Sequence, residues 1–248
     1  VKARLDLLDL DSVLESGYLV EYIEDAPFSL FSTIGYSEKP DVIAARVLEG
    51  RVAILVDGTP FVLTAPMLFV ESFQTAEDYY SRPLYSSLVR LMRFIAYFIT
   101  IFLPAIYIAL TVFHQELIPT QLLFTFANTR EGTPFPAFME VSIMMFTYDI
   151  LREAGIRLPR PVGQAISIVG ALIMGEAAVD AGLVGAPTVI TVALTAVTSF
   201  LIPMQNNSTY ILRYIMIALA SFAGIYGISM GLLSLLIHLA SLTSFGVP

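Results

Sequence analysis

The chain contains 248 residues, of which 56% are hydrophobic and only 14% are charged. Because soluble domains are about 45–50% apolar and about 25% charged, this composition indicates a protein with a large part in lipid. The absence of cysteine excludes disulfides and thiolate chemistry, and a net charge of −8 without a basic stripe argues against nucleic acid as a partner.

The charged residues are unevenly distributed along the chain. Residues 1–90 contain 14 acidic and 7 basic residues, whereas residues 91–248 contain 7 acidic and 6 basic residues. This shift predicts an α/β domain in water over 1–90 and an α-helical polytopic membrane domain over 91–248. Since the chain begins at Val1 rather than Met, we expect the first domain to be truncated at its N-terminus.

The first domain is predicted to open with helices. Residues 1–35 are acidic and amphipathic, which favours helix and loop. A further helix is predicted over Lys39–Leu48, because Pro40 suits the first helical position and Gly50 suits the position after a helix end.

A β-hairpin is predicted next. Two short apolar runs rich in β-branched residues, Arg51–Val56 and Phe61–Thr64, flank the pair Asp57-Gly58, and such a pair between strands is a strong hairpin signal. An isolated hairpin is only marginally stable, so we expect more of this domain upstream of Val1. Residues 71–90 are predicted to form a helical connector to the membrane domain.

Five apolar segments of the second domain are candidate membrane crossings. A helix needs about 20 apolar residues to cross the hydrocarbon core. The first segment meets this length without a formal charge and is expected to bend at Pro104, whereas the third is too short by itself. The five segments are Phe94–Phe113, Pro134–Leu151, Val162–Gly175, Leu183–Pro203 and Tyr214–Leu242.

The last segment is long for a single crossing, and glycines interrupt it at Gly224, Gly227 and Gly231. It is predicted to be either one tilted helix or a broken hairpin. Since small residues at this spacing permit close contact between helices, the three glycines are candidates for helix packing or oligomer contacts.

Arginine residues predict the orientation of the membrane domain, because basic residues concentrate in cytoplasmic loops. One side receives most of them: Arg82, Arg90, Arg93, Arg152, Arg157, Arg160 and Arg213. The opposite loops contain Arg130 with Glu131, and then only Glu176 and Asp180. This bias places the domain of residues 1–90 in the cytoplasm.

Glu176 and Asp180 form the first candidate site. They are four residues apart, so on a helix they share one face, and no basic residue lies near them in the sequence. A carboxylate inside a membrane costs on the order of 2–3 kcal/mol or more, and rings of carboxylates commonly line cation pores. Three interpretations stay open: an ion pathway, a short external turn, or pairing with another subunit.

Glu140 and Asp149 interrupt the second crossing. Asp149 is expected to pair with an arginine at the membrane interface, near Arg152. Glu140 has no cation three or four residues away. It is interpreted as a carboxylate at the entrance, as the partner of Arg130 in a buried ion pair, or as a pore group.

Enzyme chemistry is not expected. The only histidines, His114 and His238, are isolated in the sequence, and no P-loop, GxGxxG or GxSxG motif is present. The sequence therefore predicts neither a catalytic residue nor a metal site nor a cofactor.

Five stretches carry a resemblance to a known family: EKPDVIAARVLEGRVAILVDGTPFVL, HQELIPTQLLF, REGTPFPAFME, LREAGIRLPRPVGQAISIVGALI and LLIHLASLTSFGVP. Together they cover most of the chain from about Glu38 onwards and resemble the A subunit of GerA-family spore germination receptors. The resemblance implies residence in the inner membrane of a bacterial endospore, with a cytoplasmic N-terminal domain and a cytoplasmic tail.

The resemblance also implies partners. In that family a permease-like B subunit binds the nutrient, the C subunit is a lipoprotein, and the A subunit is held to oligomerise into a nutrient-gated channel. We therefore expect a homo-oligomer that releases monovalent cations. SpoVAF-type proteins share these stretches and are the nearest alternative. A non-conducting scaffold and a secondary transporter are the others, the latter suggested by the short or glycine-interrupted third and fifth segments.

Overall fold

The structure, a computed structural model, describes residues 1–8, 12–159, 163, 170 and 173–247. Two compact units are present. Unit 1 consists of Val1–Arg93 together with Ser234–Pro248, and unit 2 consists of Phe94–Leu233. Over the described residues the fold is mostly helical, with one small sheet.

The sheet of unit 1 has three antiparallel strands in the order β1–β3–β2, namely β1 (Gly35–Ser37), β2 (Val52–Ile54) and β3 (Val62–Ala65). Val52 is opposite Ala65 and Ile54 is opposite Leu63. This pairing confirms the predicted hairpin, although its loop spans residues 55–61 instead of the predicted 57–60. Strand β1 was not predicted, because three residues are too few to show an alternating pattern.

The helices of unit 1 are short. They are α1 (Lys2–Leu5), α2 (Ser16–Ile23), α3 (Pro40–Leu48) and α4 (Glu77–Tyr80). Helix α3 begins at Pro40 as predicted, and Gly50 beyond its end has a φ of 89°. The core of this unit contains Leu19 and Ile23 of α2 packed with Ile34 and Leu63 near the sheet.

Residues 234–248 also belong to unit 1. The Ser244 hydroxyl accepts a hydrogen bond from the backbone N–H of Met67, just after β3, and donates one to the carbonyl oxygen of Thr33. Phe245 packs against the core. Residues that are far apart in sequence thus share one compact unit.

The first apolar segment belongs to a long helix. Helix α5 (Pro83–Ile108) contains Pro104 and continues as a π-helical turn over Ala109–Phe113. The predicted crossing Phe94–Phe113 lies within α5 and this π-helical turn taken together. By length and composition, Pro83–Phe113 and Pro203–Ser241 are the two helical stretches in the described part of the chain that are long and apolar enough to cross a membrane.

The remaining helices are α6 (Thr120–Arg130), α7 (Ala137–Arg157), α8 (residues 173–180), α9 (Ala186–Ser199) and α10 (Asn206–Ser241). They overlap four of the five predicted crossings. Most of the third, Val162–Gly175, lies outside the described residues. Helix α9 has 14 residues, fewer than its predicted segment.

Helix α10 folds back on itself at Gly224, whose φ of 60° and ψ of −137° are not helical. A Cβ atom added at Gly227 would overlap the carbonyl oxygen of Leu219, and one added at Gly231 would lie 2.7 Å from Met216 Sδ. In a straight helix residues 219 and 227 would be about 12 Å apart. The last segment is therefore a helical hairpin and not one tilted helix.

Candidate functional site

Glu140 lies in the first turn of α7 and is completely buried, with 0% of its surface exposed. Its Oε2 accepts hydrogen bonds from the backbone N–H of Gly185 at 3.2 Å and from the Thr188 hydroxyl at 2.9 Å. Its Oε1 accepts one from the Thr133 hydroxyl at 3.1 Å. The buried carboxylate is thus well supplied with donors, as a buried charge requires.

Arg130, the last residue of α6, supplies the opposite charge. Its Nη2 lies 3.5 Å from Glu140 Oε1. Gly185 is the N-cap of α9, so the carboxylate also lies at a helix N-terminus, where exposed N–H groups favour negative charge. Of the three interpretations of Glu140, this geometry favours the buried pair with Arg130.

The same network reaches helix α5. The hydroxyl groups of Tyr107 and Thr188 are 3.1 Å apart and buried. Further along, the Thr100 hydroxyl donates to the Thr198 hydroxyl at 2.9 Å. These two contacts show that α5 and α9 run antiparallel. Hydrogen bonds between hydroxyl groups connect the two helices, as Ser and Thr side chains commonly do between membrane helices.

A second buried ion pair joins α7 to α10. Nη2 of Arg213 lies 2.9 and 2.7 Å from the two carboxylate oxygens of Asp149, and the Tyr214 hydroxyl donates to the same carboxylate at 2.6 Å. The guanidinium also lies over the rings of Tyr210 and Tyr214, with centroids at 5.4 and 5.3 Å. The side chain of Arg213 is 1% exposed and that of Asp149 is 4% exposed.

Sequence reasoning missed this pair. Arg213 was counted among the loop arginines, but it lies within α10 and is buried. Asp149 does pair with an arginine, as expected from the sequence, and this arginine is Arg213. The sequence did contain a sign that Arg213 is buried: in the segment Tyr210–Tyr214 this arginine is surrounded by aromatic and aliphatic residues.

Glu176 and Asp180 lie on α8, and both are exposed. A Cβ added at Gly175 would lie 3.0 Å from Val189 Cγ1, so Glu176 is next to the first turn of α9. Among the described residues no lysine or arginine forms an ion pair with either carboxylate. The structure therefore leaves these two charges without compensation from the described part of the chain.

The three glycines of α10 serve contacts within the chain. Gly227 and Gly231 face the first arm of the hairpin, as described above. A Cβ at Gly224 would lie 2.8 Å from His114 Cε1 and 2.9 Å from Phe113 Cβ. The tip of the hairpin thus packs against the end of the π-helical turn that follows α5.

The histidines have ordinary surroundings. The ring of His114 lies 6.2 Å from that of Tyr226, and Nε2 of His238 is 2.9 Å from the Ser29 hydroxyl. In the parts of the chain that the structure describes, no group of three or more His, Cys, Asp or Glu side chains could hold a metal ion.

A polar cluster fixes the beginning of α5 within unit 1. Asp78 Oδ2 lies 3.2 Å from Arg90 Nε and 2.7 Å from Arg93 Nη1. Burial would by itself raise the pKa of Asp78, but hydrogen bonds, chiefly from Arg93 and a backbone N–H, outweigh it and lower the pKa to about 2. The Ser86 hydroxyl donates to the carbonyl oxygen of Asp78 at 2.6 Å.

Comparison with known proteins identifies the family. The family described as Bacillus/Clostridium GerA spore germination protein matches residues 1–248. Over the whole chain, identity is 52% to Spore germination protein KA, 50% to Uncharacterized membrane protein YfkQ and 45% to Spore germination protein A1, all of Bacillus subtilis (strain 168). The aligned part is 46%, 48% and 52% of those proteins, respectively.

The chain thus spans about half the length of the curated relatives it matches. No solved structure matches it. A full-length family match and relatives at 37–52% identity agree with one another. The chain therefore belongs to the Bacillus/Clostridium GerA spore germination protein family.

Proposed function

We propose that the chain is part of an A-type subunit of a germinant receptor, which oligomerises in the inner spore membrane into a nutrient-gated channel for monovalent cations. Unit 2 together with the end of α10 (residues 234–241) forms the multi-span membrane domain, and residues 1–93 and 242–248 of unit 1 lie in the cytoplasm. A permease-like B subunit binds the nutrient, and a lipoprotein C subunit completes the receptor. The reaction is passage of ions and not covalent chemistry.

The difference between the paired and the unpaired carboxylates of unit 2 is the main support for this proposal. Its two buried carboxylates, Glu140 and Asp149, are paired with Arg130 and Arg213. Glu176 and Asp180 are exposed and have no such partner among the described residues. Uncompensated carboxylates in a membrane helix face water or a partner because contact with lipid is costly. A ring in which each subunit contributes the carboxylates of Glu176 and Asp180 would attract cations.

The helical hairpin of α10 supports the proposed topology. Its arms have about 18 and about 17 residues, close to the length of a crossing. Because the second arm leads back into unit 1, both ends of unit 2 continue into the same unit. An even number of crossings satisfies this connection and leaves the C-terminal residues in the cytoplasm.

Conduction is tested by removing only the charges. Spores carrying the full-length protein with Glu176→Gln and Asp180→Asn are exposed to the nutrient, and release of potassium and sodium is recorded. We expect the initial rate to fall by about tenfold or more, since carboxylates concentrate cations electrostatically. The matched control is Glu116→Gln, an exposed carboxylate outside α8.

Several outcomes decide the proposal. Normal cation release by the double variant, with normal receptor levels in the membrane, removes these residues from the pathway. If the wild-type receptor, purified with its B and C subunits, also conducts no ions in liposomes when the nutrient is added, a scaffold role replaces the channel. Uptake that saturates and follows an ion gradient indicates a transporter instead.

A further inference from the structure

The first three turns of α5 present a row of exposed leucines within unit 1. Leu84 is 88% exposed, Leu88 is 56% exposed and Leu91 is 54% exposed. Three large apolar side chains on one face of a helix, outside a core, form a surface that proteins normally cover. We call Leu84, Leu88 and Leu91 the leucine stripe.

The spacing of the leucine stripe is that of a coiled-coil seam. The steps of four and then three residues match the d, a and d positions of a heptad. The same spacing continues along the helix at Ile95 and Phe98, which are also exposed. A regular α-helix with this pattern is suited to pack against another α-helix.

The opposite face of these turns is already occupied. Ser86, Arg90 and Arg93 make hydrogen bonds or ion pairs with Asp78, and Arg93 also donates to the carbonyl oxygen of Phe73. These contacts hold residues 83–93 against unit 1. The leucine stripe therefore points away from the unit, and the structure leaves it uncovered.

The ion pairs also argue against lipid as the cover. Arg90 and Arg93 bind Asp78 of the water-facing unit, and Leu84 precedes Arg93 by about 13 Å along the helix axis. Lipid that solvates the apolar part of α5 ends near these arginines. A parallel helix, in contrast, covers the stripe and its continuation at Ile95 and Phe98 together.

Identical copies can meet here without charge repulsion. The positions that flank the seam are Tyr85, Ser87, Met92 and Phe94, all of them uncharged. In a parallel, in-register coiled coil of identical helices the a and d residues of one copy meet the same residues of the next, so the apolar positions match. The acidic residues of unit 1 are not on this seam.

We infer that the leucine stripe is the surface through which a second copy of the chain packs, in parallel, along α5. This inference rests on the proposed function, because a channel built from A subunits requires an oligomer. It adds which helix forms the contact and that the contact begins in the cytoplasmic unit.

Cysteine cross-linking tests the inference. The 248 residues contain no cysteine, and any cysteine elsewhere in the full-length protein is replaced by serine. Leu84→Cys, Leu88→Cys and Leu91→Cys are placed singly in the full-length protein in membranes and oxidised. Since a disulfide requires Cα atoms within about 7 Å, we expect covalent dimers at roughly tenfold the yield of the control. The control is Leu48→Cys, because Leu48 is also 88% exposed but lies at the end of α3.

Charge insertion provides a second measurement. Leu88→Glu with Leu91→Glu should convert the purified oligomer into monomers, whereas Leu48→Glu should leave it intact, as measured by light scattering in detergent. Both sets of positions are exposed, so the variants keep the fold; Leu88→Ala with Leu91→Ala is the milder variant.

The outcomes separate the two proposals. If the wild type is oligomeric but the stripe gives no more dimer than Leu48→Cys, and the glutamate variant stays oligomeric, the inference is wrong and the proposed function stands. If the wild type is monomeric, both fail.

Discussion

The carboxylate of Asp149 on α7 and the guanidinium of Arg213 on α10 form a buried ion pair with N–O distances of 2.7 and 2.9 Å. Both side chains are almost completely removed from solvent. Because each charge would be costly without the other, this pair fixes the first arm of the α10 hairpin to α7.

Replacing only one residue of the Asp149–Arg213 pair should therefore destabilise the protein more than replacing both. Arg213→Met leaves the Asp149 carboxylate buried and unpaired, and we expect a loss of about 3–5 kcal/mol of stability. The double variant Arg213→Met with Asp149→Leu should lose clearly less. Thermal unfolding of the detergent-purified protein measures both. Equal losses in the single and double variants would contradict the assignment.

Glu140 should be needed for the position of α9. Glu140→Ala removes the acceptor for Gly185 N–H and Thr188 and leaves Arg130 without its partner, which we expect to cost about 2–4 kcal/mol. The matched control is Glu153→Ala. Glu153 forms an exposed pair with Arg157 on the same helix, and loss of such a pair costs about 0.5 kcal/mol or less. A similar melting temperature for both variants would show that the hydrogen bonds and the ion pair of Glu140 do not contribute to stability.

Asp78 should make unit 1 sensitive to acid. Its pKa is lowered from 3.8 to about 2, so the unfolded state binds more protons than the folded state between these values. The stabilisation, about 2 kcal/mol, is complete above about pH 4 and is lost as the pH falls through about 2. Unfolding free energies at several pH values between 2 and 5 measure it.

Two variants complete this test. Asp78→Asn should lower stability at neutral pH and flatten the profile in this window, whereas Asp57→Asn, in the exposed hairpin loop, should leave the profile unchanged. A wild-type profile that is flat between pH 2 and 4 would rule out the proposed role of the Arg90–Asp78–Arg93 cluster.

The hairpin of α10 should tolerate no side chain at its contact points. Gly227→Ala places a methyl group on the carbonyl oxygen of Leu219, and Gly224→Ala adds a side chain in a backbone conformation that costs about 1–3 kcal/mol for other residues. We expect reduced melting temperatures and reduced amounts in the membrane. Gly17→Ala is the control: this glycine lies in α2 with space around it, and the change should be neutral or stabilising.

The elements that could be predicted are those with a strong local signal. Pro40 marked the start of α3, and Asp57-Gly58 marked the hairpin that pairs β2 with β3. Both depend on the chemistry of a few adjacent residues. The π-helical turn after α5 and strand β1 have no such signal, because they arise from packing against distant parts of the chain.

The candidate site likewise has residues that the sequence could locate and contacts that only the fold determines. The sequence located Glu140, Arg130, Glu176 and Asp180, since charges in an apolar context are conspicuous. It could not select the partner of Asp149, because Arg213 lies 64 residues away and only the fold brings them together. It also left the last segment as a helix or a hairpin, a choice that depends on the backbone at Gly224.

The contact of Ser244 with Met67 and Thr33 has a consequence for how the protein is made. Chains leave the ribosome from the N-terminus, and domains generally fold as they emerge. Unit 1, however, is interrupted by the whole of unit 2, so Ser244 is added only after every intervening helix has been translated. The contacts of Ser244 with Met67 and Thr33 can therefore form only after synthesis has passed the second arm of α10, and a chain stalled before that arm would lack them.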